Sequence, residues 1–276
     1  MTWHAQLDIA YSQEQQRTVA RHSHTGPLRV LQSLYPEGDA ICHNVLVHPP
    51  GGLVGGDTLD ITVAVSGNAH GLITTPGATR FYRSAGELAL QSTHITLADQ
   101  ARLEWLPLEA LAYNQCQAEN RLTLELAPQA ECIGWDVTAF GLPSASLPFE
   151  QGSFLQHIEL PGVWLERGRI DACDARLMNG PLGLAGQRCM ASLFFVTGTP
   201  LERNRREAGL DVARSVVANH ALHARAGVTC PNPQVMVLRV LSPLVEPAMQ
   251  LLRQVWLVWR AHFWQLPAVS PRIWST

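Results

Sequence analysis

The segment Arg121-Leu122-Thr123-Leu124-Glu125-Leu126 alternates polar and apolar side chains without interruption. This period of two predicts a β-strand with one packed face and one face in water. Glycine and proline, 21 and 18 residues, separate further runs of the same kind, and no fixed-period repeat is visible. The sequence therefore predicts a chain that is mostly β. The other expected strands are Asn44–Val47, Asp60–Val65, Gly71–Thr75, Leu88–Leu97, Arg102–Leu106, Glu131–Val137, Phe154–Leu160, Val163–Arg169, Arg188–Val196 and Val235–Leu241.

Two later segments have a helical rather than a β period. Thr199-Pro200-Leu201-Glu202 has the form of a capping box with proline at the first helical position, and Gly227 is a plausible stop for the helix that it opens. A second helix is expected from Ser242-Pro243 to about His262. Since no Ser/Gly/Pro-rich linker divides the chain, we expect a single domain over residues 1–276.

Composition excludes several classes of protein. The chain has 276 residues and a net charge of −3 from 20 basic and 23 acidic residues, which is too balanced for binding nucleic acid through phosphate neutralisation. Every basic residue is arginine, because the sequence contains no lysine. A Walker A loop, a kinase strand lysine and a Schiff-base lysine are therefore excluded.

Several signatures of location and catalysis are missing from the sequence. The start has neither a basic leader nor an apolar run, and Val255–Val258 is too short to cross a bilayer. The six cysteines form no C-x-x-C motif and are expected to be reduced thiols. There is no H-E-x-x-H and no G-x-S-x-G. We expect a cytoplasmic protein that is not an enzyme and has no membrane partner.

The most unusual segment, Cys42–Asp57, contains two prolines and four glycines in a loop that follows a predicted strand. Cys42, His43 and His48 offer soft and borderline ligands for a late transition metal. Adjacent strand residues point to opposite faces, so Cys42 and His43 cannot easily share one ion. A purely structural loop is the alternative. His220 and His223, at i and i+3 of the first predicted helix, are a second possible pair of ligands without a visible third.

The segment Thr74–Ser84 places hydroxyls before a turn and two arginines around an aromatic pair. It is typical of a polar passage or an anion clamp, or of a hydroxyl-capped turn with exposed arginines. Asp57, Glu109, Asp136 and Asp171 are carboxylates in β regions that could line a wet interior, although spacing alone does not bring them together.

Large aromatic residues are concentrated near the end of the chain. They are expected either to cover the chain's own sheet or to form a surface for a protein partner. The members of this set are Trp256, Trp259, Phe263, Trp264 and Trp274.

A set of ordered motifs extends from about residue 20 to the end of the chain: Gly26–Val30, Leu34–Gly38, Cys42-His43, Pro49–Asp57, Thr74–Ser84, Leu103–Pro107 and Pro271–Trp274 with Thr276. Together these motifs resemble the urease accessory protein UreD family, called UreH in some organisms. Two departures are visible: Arg80 stands where the family usually has lysine, and the family's arginine and Gly-Glu pair are missing around Gly141–Leu147.

The resemblance implies a helix-like stack of β-sheets with two α-helices in the C-terminal half. It also implies a non-enzymatic role: binding the urease apoprotein with UreF and UreG, and helping to place nickel in the urease active site. UreG is the GTPase of that set, and this chain has no Walker lysine. No tightly bound cofactor is expected, since nickel would be handled only transiently.

A conduit for nickel must release the ion, so its ligands should be carboxylates, hydroxyls and water rather than a closed His/Cys cage. The hypothesis that follows is a hydrated passage from the UreF side towards urease, with contributions from Asp57, Thr74, Thr75, Asp136 and Asp171. Two alternatives are a stand-alone transition-metal binder using Cys42, His43 and His48, and a hydrolytic enzyme with a carboxylate site.

Overall fold

The computed structural model of the protein describes residues 2–267 and 269–275, so Thr276 of the family-like motifs lies outside the described residues. Within these ranges the chain is dominated by strands, as the alternating pattern predicts. They are β1 (His4–Glu14), β2 (Arg17–Thr25), β3 (Arg29–Val30), β4 (Ile41–Val47), β5 (Gly52–Leu53), β6 (Thr58–Val65), β7 (His70–Thr74), β8 (Thr79–Phe81), β9 (Ala89–Leu97), β10 (Arg102–Leu106), β11 (Ala110–Ala112), β12 (Cys116–Leu126), β13 (Glu131–Phe140), β14 (Gly152–Leu160), β15 (Trp164–Asp171), β16 (Cys189–Thr197), β17 (Ala226–Asn232) and β18 (Val235–Ser242).

The helices are α1 (Ala175–Asn179), α2 (Arg203–Ala218) and α3 (Val245–Trp264), and short 3-10 turns cover Pro143–Ala145, His223–Arg225 and Arg272–Ser275. The two long helices, α2 and α3, are those that the sequence predicts for the C-terminal half. Among the described residues, no helix combines the length and apolar composition needed to span a bilayer.

The strands form a solenoid-like stack. One sheet has seven strands in the order β15-β14-β12-β9-β6-β1-β2, and the second has 11 strands along β17-β18-β16-β13-β10-β7-β4-β3 with β5, β8 and β11 beside them. Strands β6, β9, β12 and β14 pair in parallel in the first sheet, and β4, β7, β10 and β13 pair in parallel in the second. Each turn of the stack thus gives one long strand to each sheet, which confirms the helix-like arrangement.

Inward-pointing residues explain the strand pattern. Leu122 and Leu124 of the alternating segment are buried between the sheets, as are Ile61, Val63 and Val65 of β6. Parallel pairing stacks these side chains strand over strand into one continuous core.

A second core lies on the outer side of the 11-stranded sheet, where α2 and α3 pack. Phe195 of β16 stacks on Phe263 of α3 with ring centroids 4.0 Å apart. Gly209 allows α2 to approach α3, because a Cβ there would overlap the Phe263 ring. This second layer buries most of α3's apolar side chains.

The predicted capping box at Thr199 is wrong. The Thr199 hydroxyl donates to the Pro128 carbonyl at 2.8 Å, and the Leu201 N–H donates to Pro233, so this segment is tied to neighbouring loops. The helix consequently begins at Arg203 and ends at Ala218, well before Gly227, which belongs to β17. His220 and His223 therefore lie beyond the helix rather than on one of its faces.

Candidate functional site

A row of polar side chains lies between the two sheets, in a space where the alternating pattern of the strands predicts apolar side chains. Gln91, Asn120 and Gln156 are register partners on β9, β12 and β14. Asn120 and Gln156 lie two residues before the buried Leu122 and Ile158 on the same strands. Because every second residue of a strand points to the same side of the sheet, the row faces the space between the two sheets. The Gln91 amide donates to the Asn120 carbonyl oxygen at 3.2 Å, which links two members of the row.

Asp136 reaches this row from β13 of the facing sheet. Its carboxylate accepts hydrogen bonds of 2.7 Å from both Asn120 Nδ2 and Gln156 Nε2, and one of 3.3 Å from Thr138 Oγ1. Burial raises the pKa of Asp136 to about 6, even though these hydrogen bonds favour the ionised form. Asp136 is therefore a carboxylate that changes charge close to neutral pH inside the stack.

The polar row continues past Asp136 towards the last strands. Ser192 of β16 is the register partner of Asp136, and its hydroxyl donates to Glu166 at 3.0 Å. Glu166 of β15 also accepts from Arg239 Nε at 2.9 Å. Side chains from both sheets thus form polar contacts from the interior out to the partly exposed Arg239.

On the other side, Gln91 lines a cavity of about 200 Å³ whose wall also includes His48, Thr75 and Arg80. Burial lowers the pKa of His48, although nearby Asp57 acts in the opposite direction. The imidazole is therefore neutral at pH 7, the form that can ligate a metal. On the same face as Gln91, the buried Thr93 hydroxyl lacks a hydrogen-bond partner within the described part of the chain.

The five residues of the passage hypothesis have different surroundings. Thr75 lines the cavity, and its hydroxyl donates to the Gly77 carbonyl and accepts the Leu108 N–H. Asp136 belongs to the polar row. Asp57 lies close enough to affect His48, but its two oxygens accept the backbone N–H groups of Trp3 and Val54 at 2.8 and 2.9 Å. The carboxylate of Asp57 is therefore used to hold the glycine-rich loop.

Thr74 and Asp171 lie away from the polar row. The Thr74 hydroxyl donates to the Leu106 carbonyl at 2.6 Å and accepts from Trp274 Nε1 at 2.8 Å, on the side of the sheet that α3 covers. Asp171 ends β15 on the surface and accepts the Cys173 N–H at 2.9 Å. The structure thus places Thr75 in the cavity wall and Asp136 in the polar row, and it places neither Thr74 nor Asp171 in either of them.

The possible metal ligands do not converge. The Cys42 thiol lies 3.5 Å from Asn44 Oδ1, His43 Nε2 is 2.8 Å from Glu37, and His48 lines the cavity described above. His220 Nδ1 accepts the Leu222 N–H at 3.1 Å. Across residues 2–267 and 269–275, no group of three or more His, Cys, Asp or Glu side chains is arranged to hold a metal ion.

A buried ionic network links α3 to the sheet, and the sequence analysis did not find it. Arg260 Nη1 donates to Glu37 at 2.7 Å, and Arg260 Nε lies 3.0 Å from Glu104, which also contacts His70 at 2.9 Å. Glu37 in turn contacts His43. Glu104 interrupts the apolar run Leu103–Leu106. This charged residue within a buried strand was the one feature of the sequence that could have indicated the network.

At both carboxylates of this network, hydrogen bonds and ion pairs lower the pKa by more than burial raises it. Burial alone would raise the pKa of Glu104, but His70, Arg260 and the Trp256 N–H hold it below its ordinary value. Burial likewise opposes ionisation of Glu37, and hydrogen bonds from His43 and Arg260 lower its pKa. Burial also lowers the pKa of His70. The network therefore holds two carboxylates and one guanidinium beneath α3.

The C-terminal aromatic residues are packed inside. Trp256 and Trp259 are 0% exposed, and Phe263 and Trp264 are 5% exposed. The indole N–H of Trp256 donates to Glu104 at 2.6 Å and that of Trp264 to Glu131 at 2.6 Å. These rings cover the outer face of the chain's own sheet, the first of the two alternatives for this set, and only Trp274 is partly accessible.

The fold and the site define a class of protein, a β-solenoid scaffold with a row of polar side chains within the apolar core between its sheets. Comparison with known proteins identifies the family within that class. The family model described as UreD urease accessory protein matches residues 4–275. The chain belongs to this family, and the match begins earlier than the resemblance indicated.

Several relatives with this family name match the chain over their whole length. Proteins named Urease accessory protein UreD from Variovorax paradoxus and Polaromonas naphthalenivorans are each 69% identical, with 100% of both chains covered. The protein of that name from Leptothrix cholodnii is 53% identical over the same share of both chains. The chain is therefore a urease accessory protein.

Proposed function

We propose that this accessory protein binds the urease apoprotein together with UreF and UreG in the cytoplasm and passes nickel to urease through its polar interior. In this role it performs no turnover and holds no tightly bound cofactor, because nickel is cargo that enters and leaves. The observation that carries the proposal is the Asp136 carboxylate, held by Asn120 and Gln156 between the two sheets.

The donor set of the interior suits a transient cation. Carboxylate, amide and hydroxyl oxygens bind Ni²⁺ more weakly than a set of imidazoles and thiolates does, so the ion can leave again. Asp136 supplies one negative charge when ionised, and the carboxamide residues Gln91, Asn120 and Gln156 are register partners on the three neighbouring strands of the facing sheet.

The cavity of about 200 Å³ beside Gln91 is proposed as one mouth of the passage, with neutral His48 and Thr75 in its wall. From there the polar side chains lead through Asn120 to Asp136, and then to its register partner Ser192, whose hydroxyl donates to Glu166. Asp57 is proposed to shape the mouth by fixing the glycine-rich loop rather than to bind the ion. Thr74 and Asp171 contribute through the backbone groups that they hold.

The proposal is tested by Asp136→Asn in a urease activation assay that also measures co-purification of the complex. The amide keeps the size of the side chain and removes its charge. We expect activation to fall about tenfold, the scale of one charge-assisted contact, while the complex still assembles. Asp211→Asn, which neutralises an exposed carboxylate of α2, is the matched control and should leave activation unchanged. Normal nickel loading with Asp136→Asn would contradict the passage.

A further inference from the structure

A trough of about 910 Å³ runs along one flank of the stack, distinct from the inter-sheet interior. Its rim is built by stacked turns that lead from one sheet to the other. The turns Ser66–Ala69, Ala98–Ala101 and Ala127–Ala130 are each closed by a backbone hydrogen bond of 3.0 or 3.1 Å from the fourth residue to the first. The same turn is therefore repeated at successive levels of the stack.

Each repeated turn presents a carboxamide to the trough. The side chains of Asn68, Gln100 and Gln129 occupy the third position of their turns, and Gln13 of β1 adds a fourth amide to the same lining. All four residues are exposed, and their side-chain amides make no hydrogen bond with any part of the chain that the structure describes. A column of free amides suits the alternating N–H and C=O groups of an extended polypeptide.

The floor of the trough contains Arg102, whose guanidinium donates no hydrogen bond to any of the described residues. His70, Arg102 and Glu131 are register partners on β7, β10 and β13, and the Trp264 ring lies beneath them. The Arg102 guanidinium lies 5.6 Å from the centre of that ring. The nearest carboxylate oxygen, on Glu131, is 3.9 Å from Arg102 Nε, which is too long for a hydrogen bond.

Glu131 is already used by other donors. Arg205 Nη1 and Trp264 Nε1 each donate to it at 2.6 Å, so two arginines share one carboxylate. Burial lowers the pKa of Arg102, and Arg205 adds to this effect against the attraction of Glu131. The Arg102 side chain is 41% exposed and lines the trough, and its N–H groups have no hydrogen-bond partner within residues 2–267 and 269–275.

The remaining charged groups of the trough limit where an acidic group can be placed. Glu37 lines the trough but is committed to Arg260 and His43. Glu202 lines it as well and is exposed, so it repels a carboxylate at its own position. An occupant must therefore bring an acidic side chain to Arg102 and neutral residues to the rest of the trough.

We propose that this trough binds an extended segment of a protein partner, with the partner's backbone on the carboxamide column and one of its carboxylates on Arg102. The proposal rests on the proposed role in a urease maturation complex and names a surface for it. A bidentate guanidinium–carboxylate contact with Arg102 fixes where the acidic residue of the partner binds. Hydrogen bonds from the column of amides hold the rest of the segment extended.

The absence of lysine provides a sharp test. Arg102→Lys introduces the only lysine of the chain, which a carbodiimide can couple to a carboxylate in contact with it. The experiment treats the purified complex of the full chain with urease apoprotein and UreF, and mass spectrometry maps the product. Arg167→Lys, at an exposed arginine of β15 in the other sheet, is the matched control. Thermal unfolding verifies that both variants are folded.

We expect an intermolecular product with Arg102→Lys, mapped to one Asp or Glu in a segment of the partner, and none with Arg167→Lys. We also expect Arg102→Gln to weaken co-purification about tenfold. Coupling only to Glu131 within the chain, or equal products from both lysine variants, would overturn the trough while leaving the proposed function intact. A wild-type chain that forms no complex would overturn both.

Discussion

Arg260 of α3 and Glu104 of β10 form an ion pair in which both side chains are 0% exposed, although the residues are 156 positions apart. The same guanidinium donates to Glu37 and to the Pro267 carbonyl. One side chain therefore joins the C-terminal helix, the central strands and the segment before β4. Because burial of ions is costly, the pair stabilises this packing only as long as both partners are present.

Replacing Arg260 with methionine is expected to destabilise the fold strongly. The apolar side chain fills much of the volume but leaves Glu104 and Glu37 without their cation, and breaking a buried pair costs about 3–5 kcal/mol. Chemical denaturation followed by tryptophan fluorescence measures the loss. The control Arg214→Ala removes an exposed arginine of α2 and should change the free energy of unfolding by no more than about 0.5 kcal/mol. Equal stability of the two variants would show that the network contributes nothing.

The contact between α2 and α3 predicts that Gly209→Ala destabilises the protein, although alanine is the better helix former. The new methyl group would overlap the Phe263 ring, which cannot move away because Phe195 stacks on its face. Overpacking costs about 1–3 kcal/mol, and the gain in helix propensity offsets up to about 1 kcal/mol of it. Thermal unfolding measures the difference from Ser215→Ala, an exposed site in α2. If both variants melt alike, the helices are not closely packed at Gly209.

The strands were predictable because burial imposes alternation on each of them. Arg121–Leu126 lies in β12 with Leu122 and Leu124 inside, as expected. The same alternation is present in His4–Tyr11 of β1, a strand that the analysis missed. Successive coils begin at Ile41, His70, Arg102 and Glu131, at intervals of 29, 32 and 29 residues. The stack was nevertheless not visible as a repeat, because the strands that begin the coils differ in length from 5 to 10 residues.

The candidate site was only partly predictable, because it depends on contacts between distant residues. Asp136 and Asp171 are both aspartates in β segments, but Asp136 faces the opposite sheet whereas Asp171 ends a strand at the surface. Glu37 and Arg260 are 223 residues apart, so no local pattern indicates that they pair. The role of each residue depends on which side of its strand it faces, on where the strand ends and on which distant residue it pairs with. The spacing of residues in the sequence shows none of these three.

Asp136 gives the stability of the protein a specific dependence on pH. Its pKa is about 6 in the folded chain, whereas an unfolded aspartate has a pKa of about 3.9. The folded state therefore binds the extra proton between these values, and the contribution of Asp136 to stability falls as pH rises from about 4 to about 6. Above pH 6 the buried charge remains as a constant cost.

Asp136→Asn should remove this dependence. We expect the asparagine variant to be at least as stable as the wild type at pH 7, and to gain on it progressively between about pH 4 and pH 6. Urea unfolding at a series of pH values measures the difference, which isolates Asp136 from the other carboxylates. A difference that stays constant across this range would mean that Asp136 has an ordinary pKa.

Nickel binding by the isolated chain distinguishes a passage from a storage site. No ligand cluster is present in residues 2–267 and 269–275, so equilibrium dialysis should find weak binding without a tight stoichiometric ion. His48→Gln should reduce that binding, because it removes a neutral imidazole from the cavity wall. Cys42→Ala should leave it unchanged, since the thiol is buried beside Asn44. One nickel ion retained through extended dialysis, and lost in Cys42→Ala or His43→Gln, would instead support a stand-alone metal-binding protein.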